Sequence, residues 1–173
     1  LDMRGKVVGT FGISSDITER KKAEAELKRS SDLLGVTGRM AKVGGWEVDS
    51  KTFEVSWTEE TYRIHDVPVD HKATLEEALE FYHPDDRSKL EKAIQRAHKH
   101  GEPYDMEIRF ITAKGKHLWI HTMCKPIQEN GETVKLLGTF QDITEQRALQ
   151  DETREREELL DKITSSAQEA IVV

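Results

Sequence analysis

The sequence predicts an α+β fold, and three observations support that prediction. Apolar and polar residues alternate with a period of two over 44–49 and 53–57, which is typical of a β-hairpin. Helical periodicity with clear start signals follows over 74–100. Three further strand-like segments then occupy 104–141. The predicted order is therefore a hairpin, helices, a three-stranded meander and a closing helix.

Residues 58–65, after the hairpin, are predicted to form one or two short helical turns. Two helices follow before the meander, and the first residues of each mark where it begins. The segment T-L-E-E at 74–77 is a capping-box signal. The segment H-P-D-D at 83–86 places proline at the first helical position and acids at the positive end of the helix dipole. Gly101 is the expected end of this second helix. Its predicted buried stripe is Leu90, Ala93, Ile94 and Ala97.

The meander begins with a strand that has one packed face. Its apolar residues alternate with charged ones and are Tyr104, Met106, Ile108 and Phe110. The next strand, 118–127, is apolar on both sides, so the pattern does not say which side faces the core. Turns at 113–116 and 129–132 separate the strands, and 134–141 is the last of them.

The tetrapeptide D-I-T-E occurs twice, at 16–19 and 142–145, each time between a β-like segment and a highly charged one. In this pattern the Asp carboxylate accepts a bond from an early helical N–H, while the Glu reaches back to the cap N–H. Both charges favour the N-terminus of a helix. We therefore predict that each copy marks a junction from a strand to a helix.

Composition and charge exclude several classes of function. The 173 residues carry a net charge of −7 without a cluster of Lys, Arg and aromatic residues, which argues against nucleic-acid binding. The single cysteine, Cys124, excludes an intramolecular disulfide and fits a reducing cytoplasm. Apolar runs are too short to span a bilayer, although a parent protein could be membrane-anchored elsewhere. No nucleophile–base pair or phosphate-binding loop is present, so the segment is predicted to be non-catalytic.

The motifs together resemble one known family. The closing segment 138–145, G-T-F-Q-D-I-T-E, is similar to the PAC motif that ends PAS domains. Further matching segments are G-G-W-E at 44–47, F-E-V-S-W at 53–57, H-P-D-D-R at 83–87 and K-G-K-H-L-W-I at 114–120. The resemblance implies the PAS fold, a five-stranded antiparallel sheet with helices on one face, flanked by N- and C-terminal linker helices.

The resemblance also implies that the chain comes from a tandem array of such domains. Residues 1–19 are interpreted as the last strand and D-I-T-E end of a preceding PAS domain, 20–34 as a linker helix, 35–145 as the complete PAS/PAC domain, 146–165 as a signalling linker helix, and 166–173 as the start of a following PAS domain. The apolar residues of the second linker are thinly spaced, and Thr153 and Arg156 interrupt its heptad seam.

PAS domains are sensors and interaction modules, so we expect a sensory or signal-relay domain of a multi-domain signalling protein such as a sensor histidine kinase. Alternatives are a ligand-free dimerisation or structural module and a domain of a diguanylate cyclase-type regulator. Expected partners are the neighbouring PAS and output domains of the same chain, a second copy paired through the linker helices, and a small-molecule ligand. The expected signal-transfer hinge consists of Gly138, Gln141, Asp142, Ile143, Thr144 and Glu145.

PAS pockets hold haem, flavin, a small metabolite or nothing. Flavin photochemistry of the light-oxygen-voltage type needs a cysteine in a G-x-N-C-R-F-L-Q segment, whereas Cys124 lies in a predicted strand. Haem needs an axial histidine, but His98 and His100 turn away from their helix's apolar stripe. His83 beside Asp85 and Asp86 is explained as a helix start rather than a metal site. We therefore expect neither haem, flavin photochemistry, a covalent cofactor nor a metal.

If a cavity exists, its lining is expected to come from the meander. Tryptophans on strands are ordinarily core or interface residues, so we assign Trp46 and Trp57 to packing. The residues expected to line the cavity are Met106, Ile108, Trp119, Met123, Leu137 and Thr139.

Overall fold

The computed structural model describes residues 17–171, and their side chains as far as residue 165. The chain divides after Leu34 into two units, and the second, from Gly35 onward, contains the sheet. The strands are β1 Val43–Asp49, β2 Val55–Trp57, β3 Tyr104–Ile111, β4 His117–Glu129 and β5 Glu132–Asp142. The helices are α1 Thr18–Met40, α2 Glu59–His65, α3 Leu75–Glu80, α4 Pro84–His100 and α5 Thr144–Ile171.

The five strands form one antiparallel sheet in the order β2-β1-β5-β4-β3. The predicted α+β class, with an antiparallel five-stranded sheet, is confirmed. The first and last long strands pair with each other, from Val43 opposite Gln141 to Asp49 opposite Lys135. These two strands therefore lie side by side inside the sheet, whose edges are β2 and β3.

Both D-I-T-E segments lead into helices as predicted, because α1 begins at Thr18 and α5 begins at Thr144. The preceding strand proposed within 1–16 lies outside the described residues, as do 172 and 173. Helix α1 continues past the predicted linker, 20–34, to Met40. Helix α5 continues past 165 to Ile171, so most of the segment assigned to a following domain is helical here.

Helices α3 and α4 begin where their start signals predict. The Thr74 hydroxyl accepts the N–H of Glu77 at 3.2 Å at the start of α3. At the start of α4, Pro84 is the first residue and His83 Nδ1 accepts the N–H of Asp85 at 3.4 Å. Gly101 ends α4 with φ of 66°, a left-handed conformation that glycine adopts without a Cβ clash.

Helices α2, α3 and α4 cover one face of the sheet, called the inner face below. The alternation in β3 directs every second side chain to this face, so the strands and the helices bury a shared apolar core. Its buried members are Ile64, Tyr82, Leu90, Ile108, Phe110, Ile120 and Phe140. In the part of the chain that the structure describes, no helix has an apolar stretch long enough to cross a bilayer.

One row of residues crosses the inner face of the sheet, from Trp46 through Gly138 and Cys124 to Tyr104. The Trp46 ring lies over Gly138 and stacks with the Tyr104 ring at a centroid distance of 6.4 Å. Its Nε1–H donates to the Thr139 carbonyl oxygen at 3.1 Å. A methyl group at Gly138 would overlap the indole ring and the Met123 carbonyl oxygen. Glycine is therefore required at this crossing of the sheet.

Candidate functional site

The junction between β5 and α5 is bonded to the neighbouring strand β4. The Asp142 carboxylate accepts the Thr144 N–H at 2.9 Å, and the Thr144 hydroxyl accepts the Trp119 N–H at 2.9 Å. The N–H of Ile143 donates to the Trp119 carbonyl oxygen at 2.9 Å, and the Ile143 side chain is buried. Both backbone groups of Trp119 are thus engaged by the residues that begin α5.

Only half of the predicted capping box forms at this junction. Asp142 caps as expected, but Glu145 does not reach back, because the N–H groups of Ile143 and Asp142 already donate to the carbonyls of Trp119 and Lys42. The Glu145 carboxylate instead accepts from the Lys42 ammonium at 2.8 Å. This hydrogen bond, together with the charge of Lys42, lowers the pKa of Glu145 below its usual value.

Arg147 packs on the outer face of the sheet, one turn into α5. Its guanidinium carbon lies 3.7 Å from the centroid of a Trp119 ring, within the range of a cation–π contact. Its Nε is 3.6 Å from the Glu107 carboxylate on β3. The sequence provided no signal for these contacts or for Lys42, since the partners are far apart along the chain.

The two remaining hinge residues lie before the junction. Gln141, near the end of β5, donates from Nε2 to the Ala41 carbonyl oxygen at 3.4 Å. Gly138 lies in the middle of β5 under the Trp46 ring. The structure thus brings Asp142, Thr144 and Glu145 together with Gln141 near the end of α1, while Gly138 belongs to the packing of the sheet.

A small cavity of about 50 Å³ lies between the inner face and the helices. Its lining is Trp46, Val48, Val55, Trp57, Thr61, His65, Leu75, Ala78, Leu79, Tyr82, Leu90, Ile94, Tyr104 and Phe140. Pockets for drug-sized ligands measure about 300–1,000 Å³, whereas this cavity has room for a few water molecules. A haem or flavin would fit only in an enlarged form of this cavity.

His65, at the end of α2, is buried in this wall among aromatic rings. The ring centroids of Trp57, Phe140, Phe110 and Phe81 lie 4.2, 4.7, 4.8 and 5.1 Å from its own. Burial lowers the pKa of His65 from 6.5 to about 4, so the ring is neutral at pH 7. Its Nδ1 lies 2.8 Å from the Thr61 carbonyl oxygen and must carry the proton, which leaves Nε2 as a hydrogen-bond acceptor.

His65 is not among the site residues predicted from the sequence. A usable signal was available, because His65 directly follows the apolar Ile64 and lies one turn after Thr61, on the side of α2 that is buried. Burial holds such a ring neutral, and the Thr61 carbonyl oxygen satisfies its one N–H.

The six residues expected to line a cavity lie on both faces of the sheet. Met106 and Ile108 are on the inner face, but neither borders the 50 Å³ cavity. The remaining four, Trp119, Met123, Leu137 and Thr139, are on the outer face. Met123 and Leu137 are 39% and 44% exposed there. Met123, Leu137 and Thr139 border one open apolar depression on the outer face, whereas Met106, Ile108 and Trp119 border neither it nor the inner cavity. The six lie on two faces because β4 is apolar on both sides and its inner side was not identifiable from the pattern.

The candidate cofactor residues have structural partners. Burial raises the pKa of the Cys124 thiol to about 12, which disfavours the nucleophilic thiolate. The His98 ring packs against Phe53 at 5.6 Å, outside the cavity lining. Among residues 17–171, no three His, Cys, Asp or Glu side chains are grouped as metal ligands.

Comparisons with known proteins agree with this architecture. The family profile described as the PAS fold matches residues 54–140. The chain is 29% identical over 132 residues to the sensor protein FixL of Bradyrhizobium diazoefficiens, covering 76% of this chain and 26% of that protein. It is 30% identical over 131 residues to a blue-light-activated histidine kinase of Brucella ovis, covering 75% and 26% respectively. The chain thus spans about a quarter of the length of these relatives.

A solved structure of a sensory box histidine kinase/response regulator from Burkholderia thailandensis aligns with a TM-score of 0.57 at 24% identity. The alignment covers 75% of this chain and 98% of that one. At this level of identity the alignment supports the fold alone.

Proposed function

Since this chain belongs to the PAS family, we propose that it is a sensory and signal-relay domain of a larger signalling protein, with a histidine kinase as its output. A change in the packing of the core would reach α5 through the D-I-T-E junction. The observation that supports this most directly is the engagement of Trp119 by Thr144 and Ile143. The strand and the helix cannot move independently while these bonds persist.

The proposed path begins at the aromatic wall of the cavity. Phe140 stacks on His65 and lies two residues before Asp142 on β5. Ile120 is fully buried, lies next to Trp119 and pairs with Asp142. A ligand or a rearrangement that displaces Phe140 or Ile120 would therefore strain the bonds at the start of α5. Signalling requires that this junction have two arrangements and that the stimulus bind one of them more tightly than the other.

In the parent protein, residues 35–145 would be the complete domain. Residues 1–19 would end a preceding PAS domain, and 166–173 would lead to a following one. Helices over 20–34 and 146–165 would connect them and pair with those of a second copy. A ligand would have to enlarge the 50 Å³ cavity, so native mass spectrometry and an absorption spectrum of the purified chain test directly for a bound small molecule.

The junction itself can be tested by replacing Thr144 with valine, which removes the acceptor for the Trp119 N–H. We expect the free energy of unfolding to fall by about 1–3 kcal/mol, because a partly buried donor loses its partner. Asp142→Ala should cost about 1 kcal/mol through the lost cap. Urea denaturation measures both changes, and hydrogen exchange should accelerate at residues 144–149.

Thr153→Val is the matched control, since the Thr153 hydroxyl donates to the Leu149 carbonyl oxygen on the exposed part of the same helix. We expect the free energy of unfolding of this variant to change by less than about 0.5 kcal/mol. Equal exchange rates at 144–149 in the Thr144→Val, Asp142→Ala and unmodified chains would refute the proposed junction.

A dimerisation module is the second candidate, and the exposed apolar residues of α5 favour it. Leu149, Leu160 and Ile163 are 59%, 56% and 57% exposed. Their spacing of eleven and three residues places them near one side of the helix, although Thr153 and Arg156 interrupt the seam. A second copy of α5 would cover this side.

The double variant Leu160→Asp with Ile163→Asp is expected to shift the chain toward monomer, because two carboxylates would be buried in the helix pair. Sedimentation velocity over a range of concentrations measures the shift. Ser165→Asp is the control, since residue 165 lies on the opposite side of α5 from Ile163. An unmodified chain that stays monomeric at the highest concentration would exclude this candidate for the isolated chain.

A further inference from the structure

Lys42 lies between α1 and β1 in an unusual backbone conformation. Its φ is 53°, in the left-handed region that residues other than glycine adopt at a cost. Its N–H donates to the Arg39 carbonyl oxygen at 3.3 Å, and the Ala41 N–H donates to Thr37 at 3.0 Å. Residues 41 and 42 are therefore fixed to the last turn of α1.

The same two residues also contact the end of β5 and the first turn of α5. The Lys42 carbonyl oxygen accepts the Asp142 N–H at 3.1 Å, and the Lys42 ammonium donates to the Glu145 carboxylate at 2.8 Å. The Ala41 carbonyl oxygen accepts from the Gln141 side chain at 3.4 Å. Three hydrogen bonds thus join the segment that follows α1 to the segment that leads into α5.

We propose that Lys42 is a positioning residue that couples the last turn of α1 directly to the first turn of α5. A displacement of α1 then changes the start of α5 without any change in the core cavity. This coupling goes beyond the function proposed above, in which the change starts in the core and passes through Trp119. The domain would accept a second input, from the helix that precedes it.

The repeated D-I-T-E supports α1 as the source of that input. Helix α1 begins at Thr18 in the first copy as α5 begins at Thr144 in the second. The two helices therefore occupy equivalent places in the repeat. Lys42 lies where one such helix ends and its contacts reach the residues where the next begins, outside the lining of the cavity.

The ion pair is solvent-exposed, with Lys42 and Glu145 side chains 50% and 76% accessible. Exposed pairs contribute little to global stability. A denaturation midpoint would therefore be a poor readout for this proposal. The order of the first turns of α5, measured as amide hydrogen exchange at residues 144–149, is the appropriate quantity.

Gly38→Ala is the variant that displaces the last turn of α1 in this test. A methyl group at Gly38 would lie 2.8 Å from the Val43 carbonyl oxygen, so the last turn of α1 must shift relative to β1. Gly35→Ala is the matched control, because a methyl group there has no neighbour within 4 Å. We expect Gly38→Ala to change exchange at residues 144–149 by about threefold or more, and Gly35→Ala to leave it unchanged.

The same pair of variants is then made in a chain that carries Lys42→Met and Glu145→Gln. If the ion pair transmits the shift, the effect of Gly38→Ala on residues 144–149 should fall by at least about half, the rest passing through the backbone bond to Asp142. Exchange over α2, which borders the cavity, should not respond to Gly38→Ala in either chain. An equal effect in both chains, or a response that appears only with α2, would overturn the proposal.

A charge exchange provides a second measurement that does not depend on Gly38→Ala folding. Lys42→Glu alone should accelerate exchange at residues 144–149, and adding Glu145→Lys should restore it to within about twofold of the original rate. Failure of the restoration, with both variants folded by circular dichroism, would also overturn the proposal. The Thr144→Val result is independent of Lys42, so failure of this coupling and failure of the core-to-helix path can be told apart.

Discussion

Gly138→Ala is expected to lower the free energy of unfolding by about 3 kcal/mol or more, because the added methyl group has no space. It would overlap the Trp46 ring on one side and the Met123 carbonyl oxygen on the other. Since one obstacle is a side chain and the other is backbone, a rotamer change of Trp46 alone cannot relieve the overlap. Urea denaturation followed by circular dichroism measures the change.

Gly35→Ala is the matched control for this variant as well. Gly35 lies in α1, where an added methyl group meets no atom within 4 Å, and alanine is the better helix former. We expect equal or slightly higher stability. If the free energy of unfolding of Gly138→Ala lies within about 0.5 kcal/mol of that of the unmodified chain, the Trp46 ring does not pack closely over β5.

Acidification from pH 7.5 to pH 5 is expected to remove about 2 kcal/mol of stability through His65 alone. Burial lowers its pKa from 6.5 to about 4, and His71 adds a smaller repulsion. Between these two values the unfolded chain binds a proton that the folded chain excludes. Stability therefore falls as the pH is lowered through this window. Urea denaturation at a series of pH values measures the slope.

His65→Phe should flatten this slope, since phenylalanine keeps the ring contacts with Trp57 and Phe140 and carries no titratable proton. Thr153→Val, which alters no titratable group, is the control and should leave the slope unchanged. If His65→Phe does not fold, NMR of the His65 imidazole in the unmodified chain measures the pH at which the ring becomes protonated. A ring that becomes protonated while the chain is still folded at pH 6 would contradict the burial of His65 in a neutral form.

The fold followed from the sequence to the extent that local patterns encode it. The alternation over β1, β2 and β3 and the start signals at Thr74 and Pro84 act locally, and the elements predicted from them formed. The order of the strands in the sheet was not predicted, because no local pattern states that β1 pairs with β5. The family resemblance implied only the number of strands and their antiparallel arrangement.

The candidate site was predictable only where the sequence repeats itself. Asp142 and Thr144 were identified because D-I-T-E occurs twice. The capping box is only half formed because the Asp142 N–H already donates to the Lys42 carbonyl oxygen, and Glu145 accepts from the Lys42 ammonium instead. His65 and Arg147 depend on contacts between distant segments, which periodicity does not report. The inner side of β4 was likewise decided by packing, since both of its sides are apolar.

The three tryptophans of the chain lie at three different stages of the proposed paths. Trp57 stacks on His65 at the cavity, Trp46 lies across β5, and Trp119 lies under Arg147 at the start of α5. Indole emission responds to nearby charge and to solvent, so each ring is a built-in optical reporter of its own surroundings. Time-resolved fluorescence of chains that each retain a single tryptophan would therefore show whether a change starts in the core or at the helix.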